Sequence, residues 1–298
     1  MADWALATID TGVGPLACVE RGGQLYRLEP VLARAGLPGE DAVLQLFEHW
    51  DWALEALEGA ELRPEDAVPP GRRLAPLLYP GKVLCAGANY YKHLAEMGMP
   101  GARKEDQRLF FFFKPPRNAV VGEGDTVRMP IGTNAFDWEV ELAVVMGRRA
   151  RNVSVAGAMA HVAGYTVGID FSARDHNRAP ETFYKLDWVA GKANDTCCPL
   201  GPRMVPKSAL PDPQATRLRL SVNGAVKQED TSADMIFSIS EQISIASRIM
   251  TLDPGDVLLT GTPAGVGVPK GTFLQIGDRV DAEIEGIGQL SVRIQPPQ

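Results

Sequence analysis

The spacing of apolar residues changes along this chain, and the changes mark its elements. Trp4–Ile9, Leu16–Glu20 and Gln24–Leu28 read as three short strands. Leu46, Phe47, Trp50, Leu54 and Leu57 then recur at helical spacing, which predicts an amphipathic helix over 44–57. The segment 63–80 carries Pro64, Pro69, Pro70, Pro76 and Pro80. That is linker composition, so we expect a small leading domain over 1–78 and a larger one over 79–298. Lys82–Gly87 reads as a short buried strand, and four consecutive phenylalanines in 109–115 as a strand buried on both faces. Between 217 and 226, Leu218, Leu220 and Val222 alternate before a turn at Asn223–Gly224. A buried helix is expected over 232–252, ended by Pro254–Gly255. A strand then runs into the glycine-rich loop Gly261–Gly267, and 277–294 read as an alternating hairpin.

Composition narrows the class. With 45% hydrophobic and 22% charged residues, the chain fits an ordinary globular protein. A net charge of −7 argues against a nucleic acid or an anionic membrane as partner, yet leaves room for a small anion held by local cations. No run approaches the roughly 20 apolar residues of a membrane span. The opening Met1-Ala2-Asp3-Trp4 lacks a basic start and an apolar core, so no signal peptide and a cytoplasmic location are expected. Cys18, Cys85, Cys197 and Cys198 form no CxxC pair and read as free thiols, and no Cys/His cluster suits structural zinc.

The candidate chemistry is acidic. Glu139 and Glu141 are two apart in a run rich in Val and Leu, so in a strand they share a face. Adjacent like charges among apolar residues are costly, and a hard divalent cation relieves the cost. A second apolar segment ends in another carboxylate, Asp170. An exposed edge strand with Asp170 opening a turn would fit the same residues. His93 and Glu96 are three apart, so on a helix they share a face. A carboxylate beside imidazole raises its basicity and fixes its tautomer, as a general base requires; a solvated surface pair has the same spacing. Asn89 is expected to cap that helix and Gly98 to end it. Lys192, among Gly and Ala, has space to face a developing oxyanion or lie at the surface. Lys114, before Pro115–Pro116, reads as a cation at the rim of a site. Arg174 can hold a carboxylate bidentately or pair with Asp175. The loop at Thr262 offers N–H groups and a hydroxyl to an anion, without the GK[ST] ending of a P-loop.

These pieces in this order resemble the fumarylacetoacetate hydrolase family, from about Lys82 to Ile294. The resemblance rests on GANYYKHLAEMG, FFKPPRNAVVG, FDWEVELAVVMGRRARNV, HVAGYTVGIDFSARD, GKANDTCCPLGP, VNGAVKQEDTSADMIFSI and LDPGDVLLTGTPAGVG. It implies an α+β, mainly β fold: a mixed β-sandwich roll behind a small, variable N-terminal α+β domain, usually in a homodimer. It implies Mg2+ or Mn2+ on Glu139, Glu141 and Asp170. His93 and Glu96 match a catalytic dyad on a lid segment, and Lys192 a catalytic lysine beside the metal. Arg174 and Thr262 match residues near the substrate carboxylate or oxyanion. Asn177 stands where many relatives place Gln, and Ala193-Asn194 where Ser-Phe is common, which bears on substrate choice.

The expected activity is metal-dependent hydrolysis of a carbon–carbon bond in acylpyruvate-type 2,4-diketo acids, such as fumaryl- or maleylpyruvate, giving pyruvate and a carboxylic acid. Oxaloacetate decarboxylation, or isomerisation and decarboxylation of hydroxymuconate-type intermediates, would use the same enolate-stabilising centre in aromatic catabolism. The non-enzyme alternative is a metal-stabilised binding protein.

Overall fold

The computed structural model describes residues 3–38 and 42–298. The fold is α+β and mainly β. Ten strands form one hydrogen-bonded path. Its order is Ala67–Val68, Gln24–Arg27, Pro15–Arg21, Trp4–Asp10, Cys198–Pro206, Val162–Ile169, Val140–Met146, Val257–Leu259, Val83–Ala86 and Phe111–Lys114. Leu6 pairs with Met204, so the sheet of the leading region runs on into that of the later residues. A second sheet of five strands has the order Ala225–Thr231, Arg217–Val222, Arg279–Ile284, Gly288–Gln295 and Thr126–Arg128.

The larger sheet is covered on both faces, which is why its central strands read as unbroken apolar runs. Along Val140–Met146, Leu142, Val144 and Met146 pack with Leu218, Leu220, Val280 and Leu290 of the five-stranded sheet. Ala143 and Val145, on the opposite face, pack with Phe47, Trp50 and Leu57. The alternation is the two-residue period of a pleated strand.

Three expectations change on folding. The helix expected over 44–57 divides into a 3-10 turn, Val43–His49, and an α-helix, Trp50–Glu58. The helix expected over 232–252 is shorter, Ile239–Ile249, because Ser238 and Glu241 form a capping box that starts it later. The phenylalanine strand, Phe111–Lys114, is half-exposed, because it ends the sheet and pairs only with Val83–Ala86.

All four cysteines are buried and free. Burial pushes the Cys18 thiol up to about 11 and the Cys197 and Cys198 thiols up to about 12, and raises Cys85 well above the usual range. A raised thiol stays protonated and unreactive at pH 8. A disulfide reagent at that pH is therefore expected to modify no cysteine of the folded protein and all of them in denaturant; fast labelling without denaturant would contradict this packing.

Candidate metal centre and catalytic pocket

Antiparallel register brings the three acids together. Val140 pairs with Ile169, so the residue before one strand meets the residue after the other. The Asp170 N–H accordingly donates to the Glu139 carbonyl, 2.9 Å away. One carboxylate oxygen from each of Glu139, Glu141 and Asp170 lies within 4.8 Å of the others, and all three side chains are buried. The edge-strand alternative for the glutamates therefore fails.

Cations surround the triad. Lys192 ends the short helix Trp188–Lys192, whose Asp187 cap accepts from the Ala190 N–H. Its ammonium donates to Glu139 Oε2 and to Asp170 Oδ2, each at 2.7 Å. Arg174 donates through Nε to Asp137 Oδ2 at 2.9 Å and lays Nη2 against Glu139 Oε1. It does not pair with Asp175, which instead accepts from the Thr133 hydroxyl and the Asn134 N–H. Burial alone would raise the Glu139 carboxyl, but Arg174 and Lys192 outweigh it and hold it at about 2. Glu141 goes the other way. Burial, then Asp170 and Glu139 beside it, raise its carboxyl well above the usual range. Burial also raises Asp170, despite Lys114 and Lys192.

These residues fit a divalent cation. The donor set is three hard carboxylate oxygens. Asp170 Oδ1 is buried and accepts no well-directed hydrogen bond, although Lys114 Nζ lies 2.8 Å away. The triad also holds more mutual repulsion than Glu141 can shed while ionised, which a cation would relieve.

The glycine-rich loop is tied to the protein's own main chain and carboxylates. Thr260 and Thr262 donate their hydroxyls to the carbonyls of Leu142 and Val140. Gly261 N–H donates to Glu141 Oε2 at 2.6 Å, and Gly267 N–H to Asp137 Oδ1 at 2.7 Å. Gly261 has φ +96°, and a Cβ there would fall 2.8 Å from Asn89 Cβ, so this close approach requires glycine.

His93 and Glu96 share a face of the helix Tyr91–Glu96, with Nδ1 and Oε1 2.8 Å apart. Glu96 Oε2 accepts from Gly265 N–H at 2.8 Å, which pins this helix to the loop. With Glu96 ionised, Nδ1 carries the proton and Nε2 is left as the base. Tyr90, not Asn89, is the cap residue. Asn89 instead donates to the Phe237 and Thr260 carbonyls and accepts from the Phe237 N–H. Gly98 follows the helix with φ +92°.

His93, Glu139, Glu141, Arg174, Lys192 and Thr262 line one cavity of about 180 Å3. Two expected substrate contacts lie elsewhere. Lys114 is not a rim cation: it is fully buried, donating to the carbonyls of Phe171, Lys192 and Cys197. The strand that carries it points it inward beneath Asp170. Asn177 does not line the cavity; its side chain lies against Gly191, where a Cβ would fall 1.5 Å from Oδ1.

Two supporting residues escaped the sequence reading. Asp137 is buried and joins Arg174 to the N–H groups of Gly267 and Val268. Gln228 is also buried. It donates to Thr262 Oγ1 and the Pro263 carbonyl and accepts from Val140 N–H. Neither stands near the triad in sequence order except Asp137, whose i+2 step to Glu139 was the one available signal. Gln228→Leu leaves these buried groups unpaired, so we expect a loss of about 1–3 kcal/mol in urea unfolding, with weaker Mn2+ binding. Unchanged unfolding would show that Gln228 is not a strut of the site.

No described helix is long and apolar enough to cross a membrane. Oxaloacetate tautomerase FAHD2A, mitochondrial, of Bos taurus is 42% identical over 217 residues, covering 72% of this chain and 67% of that protein. Fumarylacetoacetate hydrolase from Exiguobacterium antarcticum superposes with TM-score 0.81 at 30% identity, covering 98% of this chain and 99% of that one. The fumarylpyruvate hydrolase of Pseudomonas aeruginosa, solved in complex with Mn2+ and pyruvate, gives TM-score 0.65 at 34% identity over 72% of this chain and 89% of its own. Residues 82–295 match the fumarylacetoacetate (FAA) hydrolase C-terminal model, and the chain belongs to that family.

Proposed function

We propose that the protein is a divalent-metal-dependent hydrolase that cleaves acylpyruvate-type 2,4-diketo acids into pyruvate and a carboxylic acid. The observation that carries this reading is that Glu139 and Glu141 of the three-carboxylate cluster line one cavity with His93, whose ring pairs with Glu96. Glu139, Glu141 and Asp170 would hold Mg2+ or Mn2+, which supplies charge to orient a 2-oxo acid and to draw electrons into its pyruvoyl half.

The chain's own residues do the rest. His93 Nε2 takes a proton from water, and Glu96 steadies the imidazolium that forms. The hydroxide adds to the distal C4 carbonyl, giving a tetrahedral alkoxide. Lys192, with its ammonium in the same cavity, stabilises that charge. Collapse breaks the C3–C4 bond and leaves its electron pair on C3 of the pyruvate half. The His93 proton returns to C3, giving pyruvate. Water and diketo acid are thus converted to two carboxylic acids with atoms balanced. Purified protein with Mg2+ or Mn2+ and a set of acylpyruvates tests this by loss of enol absorbance. Absence of turnover with every member rejects the hydrolase reading.

A second reading is favoured by the similarity to oxaloacetate tautomerases, those of Bos taurus and Homo sapiens among them. The same dyad could move a proton between C3 and the 2-oxygen of oxaloacetate without using water. Oxaloacetate ketonisation faster than acylpyruvate hydrolysis would favour it. We also propose, from the family resemblance, that the protein works as a homodimer; sedimentation at twice the 32.2 kDa chain mass is expected, and a monomer would contradict it.

A further inference from the structure

The distal half of the cavity differs from the half that holds the acids. It is made by Leu94, Met97, Met99, Phe110, Phe112 and Trp188. The Phe110 and Phe112 rings stand 5.1 and 5.4 Å from the Trp188 ring. Gly87 lets Phe110 lie flat on the backbone, since a Cβ there would fall 2.1 Å from the ring. Among the described lining residues the only lysine and arginine are Lys192 and Arg174, and both already bind acids of the site. The one ammonium that reaches this half, Lys192 Nζ at 5.0 Å from the centre of the Phe112 ring, is already taken by Glu139 and Asp170, so a second carboxylate finds no free cation among the described lining residues. Methylene groups laid on these half-exposed apolar side chains cover surface that water now meets, whereas a carboxylate laid there gives up hydration without gaining a partner. At about 180 Å3, the space is also below the roughly 300–1,000 Å3 of ordinary small-molecule sites.

The geometry points to a monocarboxylate substrate: a 2,4-diketo acid whose acyl group is short, uncharged and apolar, seated on Phe110, Phe112 and Trp188. This rests on the hydrolase reading and narrows it away from fumaryl- and maleylpyruvate, each of which carries a second carboxylate. Phe110 and Met99 are then specificity-determining residues. They are 39% and 50% exposed, so a longer polar side chain is tolerated at either position.

The experiment compares kcat/KM of the Mn2+-loaded protein for acetyl-, propionyl- and butyrylpyruvate with that for fumarylpyruvate. The apolar series is expected to exceed fumarylpyruvate by about 100-fold or more, rising roughly three- to fivefold per methylene until the pocket is full. Phe110→Arg and, separately, Met99→Lys are expected to shift the ratio toward fumarylpyruvate by about tenfold or more. Equal or better use of fumarylpyruvate by the unaltered protein overturns this inference and leaves the hydrolase reading intact. If no acylpyruvate turns over, the hydrolase reading fails, and binding decides the pocket's preference. The probes are 2-oxohexanoate and 2-oxoadipate, the same length with one carboxylate or two. Tighter binding of 2-oxohexanoate supports the apolar seat, and tighter binding of 2-oxoadipate overturns it.

Discussion

His93→Ala is expected to lower acylpyruvate turnover by roughly 10²–10⁴-fold, the usual contribution of a positioned general base, while Mn2+ affinity stays unchanged. The separation follows from the geometry. His93 lines the same cavity as Glu139 and Glu141, but its ring nitrogen pairs with Glu96, and the Glu139, Glu141 and Asp170 oxygens cluster without it. Removing the imidazole deletes the base and leaves the oxygen cluster in place. Glu96→Gln should cost less than His93→Ala, because an amide oxygen can still accept from Nδ1. It should also loosen the helix from Gly265, whose N–H the lost charge no longer holds as firmly. Parallel stopped-assay kinetics and calorimetry on both variants make the check. Collapse of metal binding in His93→Ala would mean that the histidine is a ligand and that its role is misassigned.

Lys114→Met is expected to destabilise the fold by about 3–5 kcal/mol, the range for removing one partner of a buried ion pair. The ammonium is wholly buried and satisfies three main-chain carbonyls. It also faces Asp170 Oδ1 at 2.8 Å. Deleting it strands those oxygens and leaves Asp170 with a single ammonium, that of Lys192. Urea unfolding with intact baselines reads the loss, and added Mn2+ should restore part of it by neutralising Asp170. A loss under about 1 kcal/mol would contradict a structural role for this lysine.

What could be read before folding was local. The i, i+2 glutamates and the i, i+3 His–Glu pair lie where strand and helix periods put them, because those distances are set by a few residues of backbone. The Val140–Met146 strand was legible because both faces are buried and its apolar run is unbroken. Asp170 was visible only as a carboxylate after an apolar segment. Its meeting with Glu139 depends on the pairing of Val140 with Ile169, a long-range register that no spacing reveals. Lys114 misled for the same reason. The carbonyls that receive it come from Phe171, Lys192 and Cys197, far along the chain, so a lysine before two prolines looked like an exposed cation. Gln228 sits in a strand of the other sheet, and nothing in its neighbours marks it as a brace for Val140 and Thr262. The resemblance to a known family supplied a joint assignment of these acids that the spacing left open.

Direct titration of the purified, chelator-treated protein with Mn2+, by calorimetry or electron paramagnetic resonance, tests the metal cluster itself. One ion per chain is expected, lost in Asp170→Asn and in Glu141→Gln and retained in His93→Ala. Unaltered Mn2+ binding by Asp170→Asn, or none by the unaltered protein, would contradict the account.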